Sequence, residues 1–143
     1  MTALSITATQ VLLASGPVEH GIAGAAITQG QSVYLASTGK WLPAQCDGTT
    51  AEAGENGCGI ALSAAGADGQ PVTVAKPGAI VTLGAGAAPA AGVVYVIGPG
   101  AGSIAPVGDV VTSTNKMTAL GVGLTTNRLL LFGGTYHAGA VVA

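Results

Sequence analysis

Residues 77–108 read PGAIVTLGAGAAPAAGVVYVIGPGAGSIAPVG, the longest uncharged stretch of this 143-residue chain, and the fold turns on how it is read. Its 32 residues exceed the roughly 20 that an apolar helix needs to span a bilayer. It does not read as a spanning helix, because Pro77, Pro89, Pro99, Pro106 and eight glycines interrupt any helical run. Between the breaks lie Ala79-Ile80-Val81-Thr82-Leu83 and Val93-Val94-Tyr95-Val96-Ile97, which have the length and β-branched character of strands. Turn chemistry bounds them at Pro77-Gly78 and Gly98-Pro99-Gly100.

The same signature recurs outward in both directions. Ser32-Val33-Tyr34-Leu35, Gly59-Ile60-Ala61-Leu62, Pro71-Val72-Thr73-Val74, Ala119–Leu124 and Leu129-Leu130-Leu131-Phe132 are short apolar runs of the same kind. They are separated by turns such as Thr28-Gln29-Gly30, Ser37-Thr38-Gly39, Asp68-Gly69-Gln70 and Thr126-Asn127. Helical periodicity is nearly absent. Short strands at about ten-residue spacing predict an all-β domain, a small β-sandwich or barrel.

The strand signals also repeat. Val33-Tyr34-Leu35, Trp41-Leu42-Pro43-Ala44, Gly59-Ile60-Ala61-Leu62 and Val72-Thr73-Val74 come first. They are followed, in the same order, by Val94-Tyr95-Val96, Ile104-Ala105-Pro106, Gly121-Val122-Gly123-Leu124 and Leu129-Leu130-Leu131. Tyr34 and Tyr95 are 61 residues apart, Gly59 and Gly121 are 62 apart. The expectation is a single β domain over 21–143, built of two pseudo-repeated β-meander halves at about 26–78 and 89–134. Residues 1–20 lack this density: Ile6 and Ala8 alternate with Ser5, Thr7 and Thr9, which predicts an extended N-terminal arm ordered by a neighbouring subunit or a lattice. From it Thr2, Leu4, Ile6, Val11 and Leu12 are the candidate interaction residues. Trp41, the single tryptophan, reads as a core residue, with an anchor in a partner's groove as the sharper alternative.

Composition narrows the partners. Lys40, Lys76, Lys116 and Arg128 are scattered singly, and a net charge of −2 offers no patch for a phosphate backbone, so no nucleic acid partner is expected. The N-terminus has no basic residue ahead of Val11-Leu12-Leu13-Ala14, unlike a secretory signal. Alanine and glycine together supply 51 residues, about 36% of the chain. A buried methyl contributes only about 0.8 kcal/mol, against roughly 1–2 kcal/mol to order each backbone residue, so burial between subunits is expected. An oligomer or a lattice-bound protein is the expected state.

Catalytic and cofactor chemistry find little support. Leu83-Gly84-Ala85-Gly86-Ala87-Ala88-Pro89 begins like a dinucleotide loop, but Pro89 replaces the last glycine and no βαβ unit surrounds it. Cys46 or Cys58 with His20 or His137 is the one nucleophile–base combination, without a local family signature around either thiol. Asp47, Glu52, Glu55 and Asp68 cluster, yet the spacing fails a calcium loop, and Cys46, Asp47, Glu55 and Cys58 lack a zinc pattern. Two cysteines are too few for a disulfide scaffold, and reduced thiols are expected.

One comparison fits the strand order. Gly24–Leu35, Gly39-Lys40-Trp41, Gly59–Leu62 and Gly69–Val74 resemble the small capsid decoration, or cement, proteins of tailed bacteriophages. So do Gly92–Val96, Gly102–Pro106 and Leu120-Gly121-Val122, so that the resemblance runs from about Gly21 to Phe132. It implies a β-rich protein on the outside of an expanded head, clamping neighbouring major capsid subunits against the pressure of packaged DNA. It also implies no enzymatic activity and no cofactor, with members standing as trimers or sometimes dimers. The chain departs from the pattern in Gly139–Ala143 and in the loop between Cys46 and Cys58. A tail- or fibre-associated module, a secreted surface β-module and a small Cys/His hydrolase are the competing readings.

Overall fold

The computed structural model describes residues 4, 6, 10–46, 52, 57–84, 89–98, 100–106, 116–125 and 127–141, with backbone alone for 116–117 and 132–141. Eleven strands follow one another: β1 (Leu12–Ser15), β2 (Val18–Ile22), β3 (Ser32–Leu35), β4 (Trp41–Pro43), β5 (Cys58–Ala61), β6 (Pro71–Ala75), β7 (Ile80–Thr82), β8 (Val94–Ile97), β9 (Ile104–Pro106), β10 (Lys116–Leu124) and β11 (Arg128–Val141). They form two antiparallel sheets, ordered β1-β7-β11-β10-β8-β9 and β2-β6-β5-β3-β4. Every run that the sequence singled out as a strand overlaps one of them and extends at most one residue beyond it at either end. The strands outside those seven runs are all at an edge, where hydrophobic patterning is weakest: β1, β2, β4 and β9, of which β4 and β9 carried a signal only through the repeat.

The repeat is written into the topology. Taking β3, β4, β5, β6 and β2 onto β8, β9, β10, β11 and β7 turns one strand order into the other, with β1 as the extra strand. The halves are not meanders. In each, the third strand (β5 or β10) pairs beside the first rather than the second, and 14 and nine residues of sequence separate it from the second strand, more than a tight hairpin turn uses. The register also corrects the tyrosine match. Val33 stands opposite Gly59 and Pro43, while Tyr95 stands opposite Gly121 and Pro106, so Val33 and Tyr95 are the counterparts. A slip of one residue reverses the face of a strand, and Tyr34 is accordingly half-buried where Tyr95 is buried. The structural period is thus 62, and the turn glycines Gly16 and Gly78, then Gly30 and Gly92, share it with Gly59 and Gly121.

The segment expected to be an arm enters the domain. β1 pairs with β7 and β2 with β6, and the boundary drawn at residue 20 falls inside β2. At the corner between the sheets, the β1–β2 turn (Gly16-Pro17) lies against the β6–β7 turn (Pro77-Gly78). Lys76 N–H donates to Pro17 O at 3.2 Å, and a side chain on Gly16, which has φ +108°, would meet Ala79 Cα at 2.5 Å. Each turn carries its chain from one sheet to the other, so the two sheets are tied twice at one point.

The main core between the sheets includes Val11, Cys46, Cys58, Ile60, Val81, Leu83, Tyr95, Ile97, Ile104, Leu120, Leu129 and Leu131. A second cluster lies on the far face of the five-stranded sheet, where Ala23, Ile27 and Ala65 cover Val33, Trp41, Ala61, Val72 and Val74. Ile27 and Ala65 exchange two backbone hydrogen bonds of 2.8 and 2.9 Å that hold this cover in place. β5 is therefore buried on both faces.

Gly59 and Gly121 explain their own recurrence. A Cβ on Gly59 would collide with Ala75 O of β6, and one on Gly121 with Leu130 O of β11. Neighbouring strands approach too closely there for any side chain. Gly59→Ala and Gly121→Ala should each cost about 1–3 kcal/mol through overpacking, read as a lower denaturant midpoint with an unchanged slope. Gly66→Ala is the control: its nearest neighbour is the Gln70 amide at 3.4 Å, and its stability should stay close to that of the parent.

Candidate functional site

The described residues concentrate their surface features at the N-terminal segment and the sheet edges. Leu4 N–H donates to Ile104 O at 2.7 Å, along the open side of β9. Leu4 and Ile6 pack against the main core, and with Gln29, Gln31 and Gly102 they border an open cavity of about 230 Å³. Gln29 Nε2 donates to Val11 O at 2.7 Å, which holds the buried Val11 at the entry to β1. Gly30 makes room here: a Cβ on it would meet Ile6 Cγ2 at 2.7 Å and Val11 Cγ2 at 2.9 Å.

The candidates from sequence thus separate. Val11 is fully buried and Leu4 and Ile6 are half-buried against the chain's own core. Leu12 is 63% exposed, and Thr2 lies outside the described residues. Sequence reasoning passed over Leu13 and Ile22, which are 38% and 41% exposed on β1 and β2. The adjacency of Leu13 to Leu12 was visible, but the exposure of Leu13 and Ile22 follows from lying on edge strands, which no local pattern declares.

Trp41 is a core residue. Its ring is buried, Gly21 lies flat against the indole, and Lys76 Nζ sits 5.0 Å from the ring centroid. Lys76 Nζ also lies 3.8 Å from a Glu19 carboxylate oxygen, so one cation bridges β2, β4 and the β6–β7 turn. Lys40 and Asp68 form an exposed ion pair at 2.8 Å, worth little in water.

The chemistry-bearing residues are dispersed. Cys46 and Cys58 are both buried, and neither is in a disulfide. Burial pushes the Cys58 thiol up to about 12, with Lys76 opposing the shift, so it stays protonated at neutral pH and is a poor nucleophile. His20 lies on exposed β2, its Nδ1 3.1 Å from Thr73 Oγ1, while the side chain of His137 lies outside the described residues. Glu52 accepts a 2.6 Å hydrogen bond from Gln45 Nε2, and Asp47, Glu55 and residues 85–88 lie outside the described residues. Among the described residues, no three His, Cys, Asp or Glu side chains are grouped to hold a metal, and no helix is long and apolar enough to cross a membrane.

The raised Cys58 pKa has a signed consequence. Above about pH 9 the unfolded thiol loses its proton while the folded one keeps it, so folding stability falls as the pH rises from about 9 towards 12. In Cys46→Ala protein, the remaining thiol should be silent to a disulfide reagent at pH 8 until denaturant is added. Cys58→Ala should flatten the alkaline decline in stability, leaving the contribution of Tyr34, whose pKa is raised by burial and then by Glu52.

Comparison with known proteins bears on this arrangement. A family model described as phage cement protein matches residues 6–78, which run from the N-terminal segment through β6 and its turn. No curated protein and no solved structure matches the chain. The match covers just over half of the sequence and takes in the sheet-crossing corner, the exposed β1 and β2 and all of the five-stranded sheet. The chain belongs to the phage cement protein family, a family of phage capsid structural proteins.

Proposed function

We propose that this protein decorates the outside of a phage head as a small homo-oligomer, bridging neighbouring major capsid subunits and stabilising their lattice. The match to the cement family over residues 6–78 carries the reading. The role is structural, without enzymatic activity or cofactor, and the protonated core thiol of Cys58 is in keeping with that. The work of such a protein is buried contact. Ten charged residues in 143 leave wide areas of surface free of the desolvation cost that charges impose on an interface. The N-terminal segment, residues 1–20, takes part in these contacts, and the protein is made in the cytoplasm of the bacterial host.

The test is reconstitution on expanded heads lacking the protein. Added protein should bind saturably at a fixed ratio to the major capsid protein, and the decorated heads should retain their DNA at temperatures where bare heads release it. Binding to tails or fibres instead, or saturation without any gain in head stability, would overturn the reading.

A further inference from the structure

Apart from the projecting part of the β10–β11 hairpin, where neither β7 nor β8 reaches, the described residues of the two sheets offer four edges at their outermost strands. Three of these are blunted. The β9 edge ends at Pro106 and is capped by the hydrogen bond from Leu4 N–H to Ile104 O. On the β4 edge, Trp41 O accepts the Gly24 N–H at 2.8 Å, and the strand ends at Pro43. The β2 edge carries exposed Glu19 and His20. Prolines, charges and covering segments are the usual devices that keep a sheet edge from recruiting another strand. β1 has none of the three. Leu12-Leu13-Ala14-Ser15 is uncharged and free of proline, all four residues are exposed, and among the described residues its outer side has no strand. Leu12 and Leu13 are consecutive in a strand and so point to opposite faces, and neither is covered. The register step at Ala14 lies at the end next to Gly16, which leaves the leucines on the regular part of the strand.

The geometry points to β1 as the edge across which two copies of this chain join their six-stranded sheets into one. The occupant is a second copy because of charge. A two-fold axis pairs an edge with itself, and β1 brings no charge to that pairing, whereas β2 would bring Glu19 and His20 towards their own duplicates. Antiparallel pairing centred on the strand sets Leu13 opposite Ala14 and Leu12 opposite Ser15. It satisfies the open backbone groups and covers a leucine on each face. The inference rests on the cement reading only for its setting, a surface where many copies stand side by side.

Sedimentation of the full chain over a range of concentrations tests it without any head present. The parent should associate through a two-fold contact. Leu12→Lys and Leu13→Lys, at positions already exposed in the single chain, should each raise the dissociation constant, and together by about a hundredfold, with an unchanged far-ultraviolet spectrum. Ala14→Pro, at the residue without a β7 partner in the register, should do the same without introducing charge. A parent that stays monomeric at every concentration overturns the inference. So does an oligomer that all three variants leave intact, or variants that associate normally but no longer decorate heads, which would give the edge to a capsid strand. Association lost in the variants, in a protein that fails to bind heads, upholds the β1 contact while removing the cement reading.

Discussion

The fold depends on the place where two turns cross. Gly16-Pro17 takes the chain out of the six-stranded sheet into the five-stranded one, and Pro77-Gly78 brings it back, each turn packed against the other. The Lys76 to Pro17 hydrogen bond and the contact of Gly16 with Ala79 leave no room for a side chain at residue 16, where the backbone is also left-handed. Because β1 pairs with β7 and β2 with β6 on either side of this point, neither sheet can separate without breaking pairs in both. The same crossing puts Lys76 over Trp41 and holds β1 at the outer margin of its sheet.

Small side chains acquire a specific use in this architecture. Ala23, Ala44, Ala61, Ala65, Ala75, Ala79 and Ala105 are buried in the cores of a single chain. Gly59 and Gly121 mark the close approach of adjacent strands in the two halves. A composition that suggests a chain too slight to hold itself therefore also describes one whose backbones pack closely, trading side-chain bulk for strand proximity. Among the described residues, the large apolar side chains left exposed are Leu12, Leu13 and Ile22, all on the edge strands contributed by residues 12–22.

This distribution suits the lattice contact proposed for the protein. The described charges sit mainly at margins: Lys40 with Asp68 on the surface, Glu19 and Lys76 beside β2, while the Cys58 thiol is held protonated in the core. Membership of the cement family gives that arrangement its context, and the matched segment contains the crossing turns together with both exposed edge strands.

The all-β class, the position of seven strands and the existence of a repeat were legible in residue order, since alternation, turn residues and glycine spacing act locally. So was the likeness to cement proteins. Strand order was not, because β5 and β10 choose their neighbours through long connections whose path local patterning does not encode. The match of Tyr34 to Tyr95 failed for a related reason: identity of letters ignores the pleat, and only paired registers show that Val33 is the counterpart. Likewise Leu4, Ile6, Val11 and Leu12 looked alike as apolar members of an arm, and the tertiary structure divided them into three that pack on the chain's own core and one that faces solvent. By itself the sequence determined which segments become strands and where they turn. The tertiary structure decided which strands lie side by side, and therefore which edge is left open, because edges are a property of the assembled sheet and of no segment alone.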